Sequence, residues 1–325
     1  MSSYPSSQYY SFLINQIEYY GCLVLVNIGL IANLLNILIS LRKNIQKITM
    51  GFYNVVMSVF NILLLIIAGY LNIFPQALGR AQFISNSYYG CNILSYLLRT
   101  ILQMTQWLNV LITLDRTICV TFPTRFLFIK NKRKLLQIVL AMFVIICILN
   151  VINVFFHIED KSSPLLFANE TFNYTVCTSN SLVNLLSATS AMITRIIVPL
   201  TLQVVMNAVL IYKLFKIKRS VNVSRSLVKE YKFAVTVVVI NGTFVASEIP
   251  FLVMLTLITV YGYNQSFIMT GSPLSNQLTL AYVCSYIFSA YTSISLFFIN
   301  VFFNRYYKNE VKSILCKKLK ISPSF

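Results

Sequence analysis

Long stretches of this chain carry no charge at all. None falls between Glu18 and Arg42, between Lys47 and Arg80, or between Lys134 and Glu159. Residues 81–114 hold only Arg99, residues 182–212 only Arg195 and residues 233–261 only Glu248, and the next charge after Glu248 is Arg305. A membrane crossing takes roughly 20 apolar residues, so these stretches predict seven helices, the last over about 278–303. The polar remainder predicts an amino-terminal segment over 1–18, a membrane domain over 19–303 and a tail over 304–325. In that tail Val311, Ile314, Leu315 and Leu319 share one side among basic residues, which predicts an amphipathic helix lying on the membrane surface. The expected fold is all-α: a seven-transmembrane helix bundle with a short amphipathic helix after helix seven.

Composition agrees with this pattern and adds a direction. Apolar types make up 57% of the 325 residues and charged types only 10%, which is outside the soluble globular range. Of the 26 Lys and Arg, 22 lie between helices one and two, three and four, and five and six, or after helix seven. The positive-inside rule then puts the amino terminus outside and the carboxyl terminus in the cytosol, as expected of a multi-pass plasma-membrane protein. The net charge of +18 is accounted for by that topology and by anionic lipid, so the lipid bilayer is a partner and nucleic acid is not. Residues 1–18 are polar and rich in Tyr and Ser, without the pattern of a cleavable signal peptide, so helix one would start insertion.

Asp115-Arg116 closes the apolar run of helix three. A carboxylate beside a guanidinium where hydrocarbon gives way to water is neutralised locally and can open when a polar partner arrives, which makes the pair a candidate switch. Cys91 lies 24 residues before Asp115 and Pro123 eight after it. Pro199 and Pro250 fall inside helices five and six, where a proline bends a helix and can serve as a hinge. Asn33 sits in helix one, and helix seven ends Asn300-Val301-Phe302-Phe303-Asn304.

Jointly these residues resemble the rhodopsin-like G-protein-coupled receptors. The short termini, the abundant Phe and Tyr and the single Trp107 are most similar to the nematode serpentine chemoreceptors. Departures are several: Thr117 replaces the common Tyr after Asp-Arg, Val301 and Asn304 replace the Pro and Tyr of the helix-seven motif, and Glu248 stands where the family has its helix-six Trp. Asn61 replaces the helix-two carboxylate, so the sodium pocket that the resemblance implies has an amide oxygen but no charge. The resemblance implies a Cys91–Cys177 disulfide. It also implies a latch from Arg116 to Glu230, twenty residues before Pro250, with Asn300 as part of the same switch. Asn169, Asn173 and Asn264 begin glycosylation sequons on the outer side. Cys316, in the tail, is a palmitoylation candidate.

Three charges lie within helices away from their ends: Arg99, Arg195 and Glu248. Ionisable groups at membrane depth cost about 2.5–3.5 kcal/mol each, so they face the bundle interior and have partners. Arg195 and Glu248 both fall roughly 18–20 Å from the outer surface at 1.5 Å per residue and are the expected ion pair. Arg99 is then left without an acid, and with the other two forms a candidate ligand site for a small anionic amphiphile. No cofactor, catalytic residue or metal site is expected: His157 is the lone histidine, and no phosphate loop or nucleophile elbow is present. The expected function is a chemosensory receptor that takes a small-molecule ligand and activates a heterotrimeric G protein. The alternative is a seven-helix ligand-gated channel or a transporter. The channel class is expected to have its amino terminus inside, and a transporter to show internal repeats.

Overall fold

The structure is a computed structural model, and it describes residues 6–46, 49–73, 89–122, 131–164, 171–219, 225–263 and 273–319. The apolar stretches form seven rods. α1 spans Ser6–Ser40, and a single turn over Lys43–Gln46 leads into α2, Thr49–Leu64, which continues as π-helix over Leu65–Ile73. α3 opens with π turns over Gly90–Leu94 and runs as α-helix over Ser95–Thr121. α4 spans Lys132–Leu149 and ends in a 3₁₀ turn over Val151–Phe155. α5 comprises Ser181–Ser190, a π segment over Ala191–Ile197 and Val198–Arg219. α6 is one helix over Arg225–Tyr263 with Pro250 inside it. α7 comprises Pro273–Ala290 and Thr292–Phe303, and α8 follows over Arg305–Leu319.

α1 therefore begins within the segment read from sequence as the amino-terminal tail, and Glu18 lies inside the helix. The π segment of α5 ends two residues before Pro199, which has no N–H to give to an α-helical ladder, so the change of hydrogen-bond pattern falls beside it. α7 bends by 40° between Ala290 and Thr292, ten residues before the Val301 that stands in place of proline. The hydroxyls of Thr292 and Ser295 donate to the carbonyls of Ser289 at 2.7 Å and Thr292 at 3.0 Å. Such bonds compete with the helical ladder and let a helix bend without proline.

Among the described residues, four of the rods are long and apolar enough to cross a membrane, and the two bent parts of α7 together make a fifth. α3 is too polar along its length to pass on composition, because it carries Gln103, Gln106, Asn109 and Thr113 on its buried side. α4 begins with Lys132-Arg133-Lys134. The molecule is a multi-pass membrane protein with a seven-helix bundle. Its polarity is arranged inside out: Asn33, Asn36, Asn61, Asn241 and Asn300 are buried, while Ile31, Leu38, Ile148 and Phe302 are exposed on the outer wall. In hydrocarbon only the interior offers a polar group its partners.

The main core joins α2, α3, α4, α6 and α7 through Met50, Met57, Met104, Leu108, Ile112, Leu135, Val237 and Leu296. Between α4 and α5 lies an antiparallel hairpin, β1 over His157–Pro164 and β2 over Thr171–Thr178, with Ile158 opposite Cys177. β2 reads Thr-Phe-Asn-Tyr-Thr-Val, rich in the aromatic and β-branched types that favour strands. α8 docks on the end of the bundle that bears Asp115-Arg116. Val311 and Ile314 of its predicted apolar side pack with Ile39, Ile45, Val301 and the buried Tyr307.

Candidate functional site

Toward the carboxyl-terminal end of α3, Asp115 and Arg116 are both buried, 3% and 1% exposed. Adjacent residues on a helix point about 100° apart, yet the long Arg116 side chain folds back. Its Nε donates to Asp115 Oδ2 at 2.9 Å, and its Nη2 also donates to Oδ2. Nη2 donates as well to Thr49 Oγ1 at the first residue of α2, and that hydroxyl donates onward to Asp115 Oδ2 at 3.3 Å. Thr49 thus ties α2 to the charged pair, a contact the sequence reading did not contain because nothing in the spacing distinguishes Thr49 from other helix-start threonines. Glu230 lies on the first turns of α6, and its side chain is outside the described residues. Asn300, near the carboxyl-terminal end of α7, is fully buried, with neither amide atom hydrogen-bonded among the described residues.

Midway along the bundle three polar clusters join helices. Asn33 and Asn61 both donate to the Ser293 carbonyl, at 2.9 and 3.2 Å, and Asn61 Nδ2 also donates to Asn33 Oδ1 at 3.3 Å. Asn61 therefore presents a donor where a cation needs a negative oxygen, and no carboxylate accompanies it in this cluster, so the residues present do not fit a sodium ion. Asn36 donates to Ser58 Oγ at 2.7 Å, linking α1 to α2. Asn241 of α6 donates to Thr113 of α3 and to Asn207 of α5, each at 2.8 Å.

Toward the hairpin end the helices part around a cavity of about 300 Å³. Its walls come from α1 (Glu18, Cys22, Val26), α2 (Leu64, Leu65, Ala68), α3 (Leu102, Thr105, Gln106), α5 (Arg195) and α7 (Tyr282, Tyr286, Ser289, Thr292). Cys91 of α3 is joined by a disulfide to Cys177 of β2, with Cα atoms 5.5 Å apart, which ties the hairpin to this end. Asn173 lies on β2 opposite Ser162. Asn169 and Asn264 lie outside the described residues, as does Pro123.

The three intrahelical charges are arranged differently from the sequence expectation. Arg195 and Glu248 do not come within ion-pair distance. Arg195 lines the cavity with its guanidinium over the Phe251 ring, 5.7 Å from the centroid. Glu248 is fully buried, and its Oε1 accepts from Ser289 Oγ and, at 3.4 Å, from Gln106 Nε2. The depth estimate assumed an α-helical rise, whereas Arg195 sits inside π turns that change both the rise and the face on which it projects.

Arg99 is likewise not left alone, and it is not among the residues that line the cavity. It donates to Ser187 Oγ and stacks over Phe156 at 4.8 Å. Ser187 in turn donates to Asn153 at 2.7 Å, and nearby Asn150 donates to Gln103 at 2.7 Å. A guanidinium has five donors and can be satisfied by hydroxyls and a ring face without an acid. The residue that sequence reasoning missed is Glu18, taken as the boundary of helix one. Its Oε2 is buried without a partner among the described residues. An acid three turns into a helix looks the same in sequence as one just outside it.

A family model described as the 7 transmembrane receptor (rhodopsin family) matches residues 32–301. No curated protein matches the chain.

Proposed function

The chain belongs to the rhodopsin family of seven-transmembrane receptors, and from that premise we propose that it is a chemosensory receptor of the plasma membrane. The amino terminus faces out, a small extracellular ligand binds in the cavity, and a heterotrimeric G protein is activated at the Arg116 end. The outward direction of the hairpin end is supported by its disulfide, since such bonds persist in oxidising compartments, and by the sparse Lys and Arg on that side. No catalytic role is proposed for any residue.

The observation that carries this reading is the construction of α6. Within three residues it places Glu248 behind the cavity wall, through Ser289 and Gln106, and Pro250 at a point where the helix can bend. A ligand that binds one arrangement of these groups better than another shifts the population of α6 positions, by no more than its difference in affinity for the two. The inner end of α6 then moves away from α3, the pair Asp115–Arg116 leaves Thr49, and a cleft opens for the G protein.

The test is a ligand screen on surface-expressed receptor with separate reporters for each Gα class. A response that Arg116→Ala abolishes at equal surface expression supports the proposal. Ligand-gated current without nucleotide exchange would support the channel alternative instead.

A further inference from the structure

Four polar atoms around the cavity have no hydrogen-bond partner among the described residues: Glu18 Oε2, Gln106 Oε1, Glu248 Oε2 and Arg195 Nε. They come from α1, α3, α6 and α5. Three accept and one donates. Glu18, Gln106 and Arg195 line the same space, and Glu248 stands one hydrogen bond behind it through Gln106 and Ser289. Gln106 and Glu248 are 5% and 0% exposed, so the bundle surface does not hydrate them. A buried polar group left unmade is costly, and more so when charged.

Building on the receptor reading above, we propose that the ligand is a small zwitterion on an apolar body, with an ammonium group facing Glu18 and the Gln106 side-chain carbonyl, backed by Glu248 behind Gln106, and a carboxylate facing Arg195. An anion alone would use Arg195 but leave the acceptors of Glu18 and Gln106 unmatched, and would set its charge beside the Glu18 carboxylate. A cation alone would leave the Arg195 Nε–H unused. A zwitterion satisfies both kinds of atom and adds no net charge to the bundle. The apolar remainder lies against Cys22, Leu65 and Val283. A volume of about 300 Å³ is at the small end for ligand sites and suits a body of the size of a large amino-acid side chain.

The experiment uses purified full-length receptor in lipid nanodiscs, with Tm as the readout of binding. The probes are matched triplets built on the leucine, phenylalanine and 2-aminooctanoate bodies. Each triplet holds the free amino acid, its amide (cation only) and its N-acetyl acid (anion only). The expected result is that at least one free amino acid raises Tm with an affinity about tenfold or more above both of its derivatives. Arg195→Gln should abolish the advantage over the amide. Glu18→Gln should abolish the advantage over the N-acetyl acid. The proposal is overturned if no free amino acid shifts Tm in any triplet, or if an amide or N-acetyl acid matches its parent. Ligand-free nucleotide exchange on a G protein is measured on the same discs and depends on none of these outcomes, so loss of the zwitterion and loss of the receptor reading are told apart.

Discussion

The Tyr307 hydroxyl of α8 donates to Asn36 Oδ1 of α1, and Asn36 Nδ2 donates onward to Ser58 of α2 at 2.7 Å. Tyr307 is 1% exposed, with its ring edge-on to Phe297 of α7 at 6.3 Å. Burial pushes its phenol well above the ordinary range, so it remains a neutral donor at any physiological pH. A surface helix is in this way fastened to three helices of the bundle through one side chain, three residues beyond the Asn304 that replaces the tyrosine of the helix-seven motif.

Tyr307→Phe keeps the ring and removes the bond, leaving the buried Asn36 oxygen short of its donor. The expected loss is about 1–2 kcal/mol, read as a lower Tm in detergent. An unchanged Tm would mean that α8 is held by its apolar contacts alone.

Thr49 holds Arg116 closed against Asp115. Thr49→Val has nearly the same shape but no hydroxyl, so it should raise ligand-independent signalling at equal surface expression. Glu230→Ala should raise it further if the latch to α6 exists. Basal signalling equal to wild type in both variants would leave the switch without these restraints.

Cys91–Cys177 anchors β2 to the top of α3. Mass mapping of surface-expressed protein should find these two cysteines linked and glycan on Asn169 or Asn173. A free Cys91 thiol, or an unmodified hairpin loop, would count against the outward orientation.

Two glycines give opposite expectations. A Cβ on Gly51 would lie 2.5 Å from the Ile45 carbonyl oxygen, whose backbone has little room to move, whereas a Cβ on Gly242 meets nothing within 4 Å. Gly51→Ala should cost about 1–3 kcal/mol, and Gly242→Ala should gain about 0.5–1 kcal/mol from helix propensity. Thermal melts of the two variants in one detergent check both signs.

The seven helices were legible because bilayer thickness imposes length and the apolar stretches between charges report it directly. Asp115-Arg116 was legible as a pair because adjacency in sequence needs no fold to be seen. The tie from Thr49 was not, since it depends on where α2 starts relative to the carboxyl-terminal end of α3. Matched depth and the adjacency of helices five and six implied by the resemblance pair Arg195 with Glu248, and the π turns around Arg195 defeat a count made at α-helical rise. Arg99 looked solitary because the sequence was searched for acids, while its partners are a serine hydroxyl and a phenylalanine ring. The hairpin escaped notice because β1, His-Ile-Glu-Asp-Lys-Ser-Ser-Pro, has no alternation of its own and is a strand by virtue of pairing with β2. The bend of α7 at Tyr291 carries no proline to announce it.

In the proposed mechanism Arg116 couples this bundle to a G protein and Thr49 holds it back. Its most direct test is the rate of guanine-nucleotide exchange on heterotrimers of each Gα class, measured with receptor nanodiscs and no ligand. For at least one class, wild type is expected to exceed empty discs, Thr49→Val to exceed wild type, and Arg116→Ala to match empty discs. Exchange that is the same with wild type, Thr49→Val and empty discs in every class, or that survives Arg116→Ala undiminished, would contradict it.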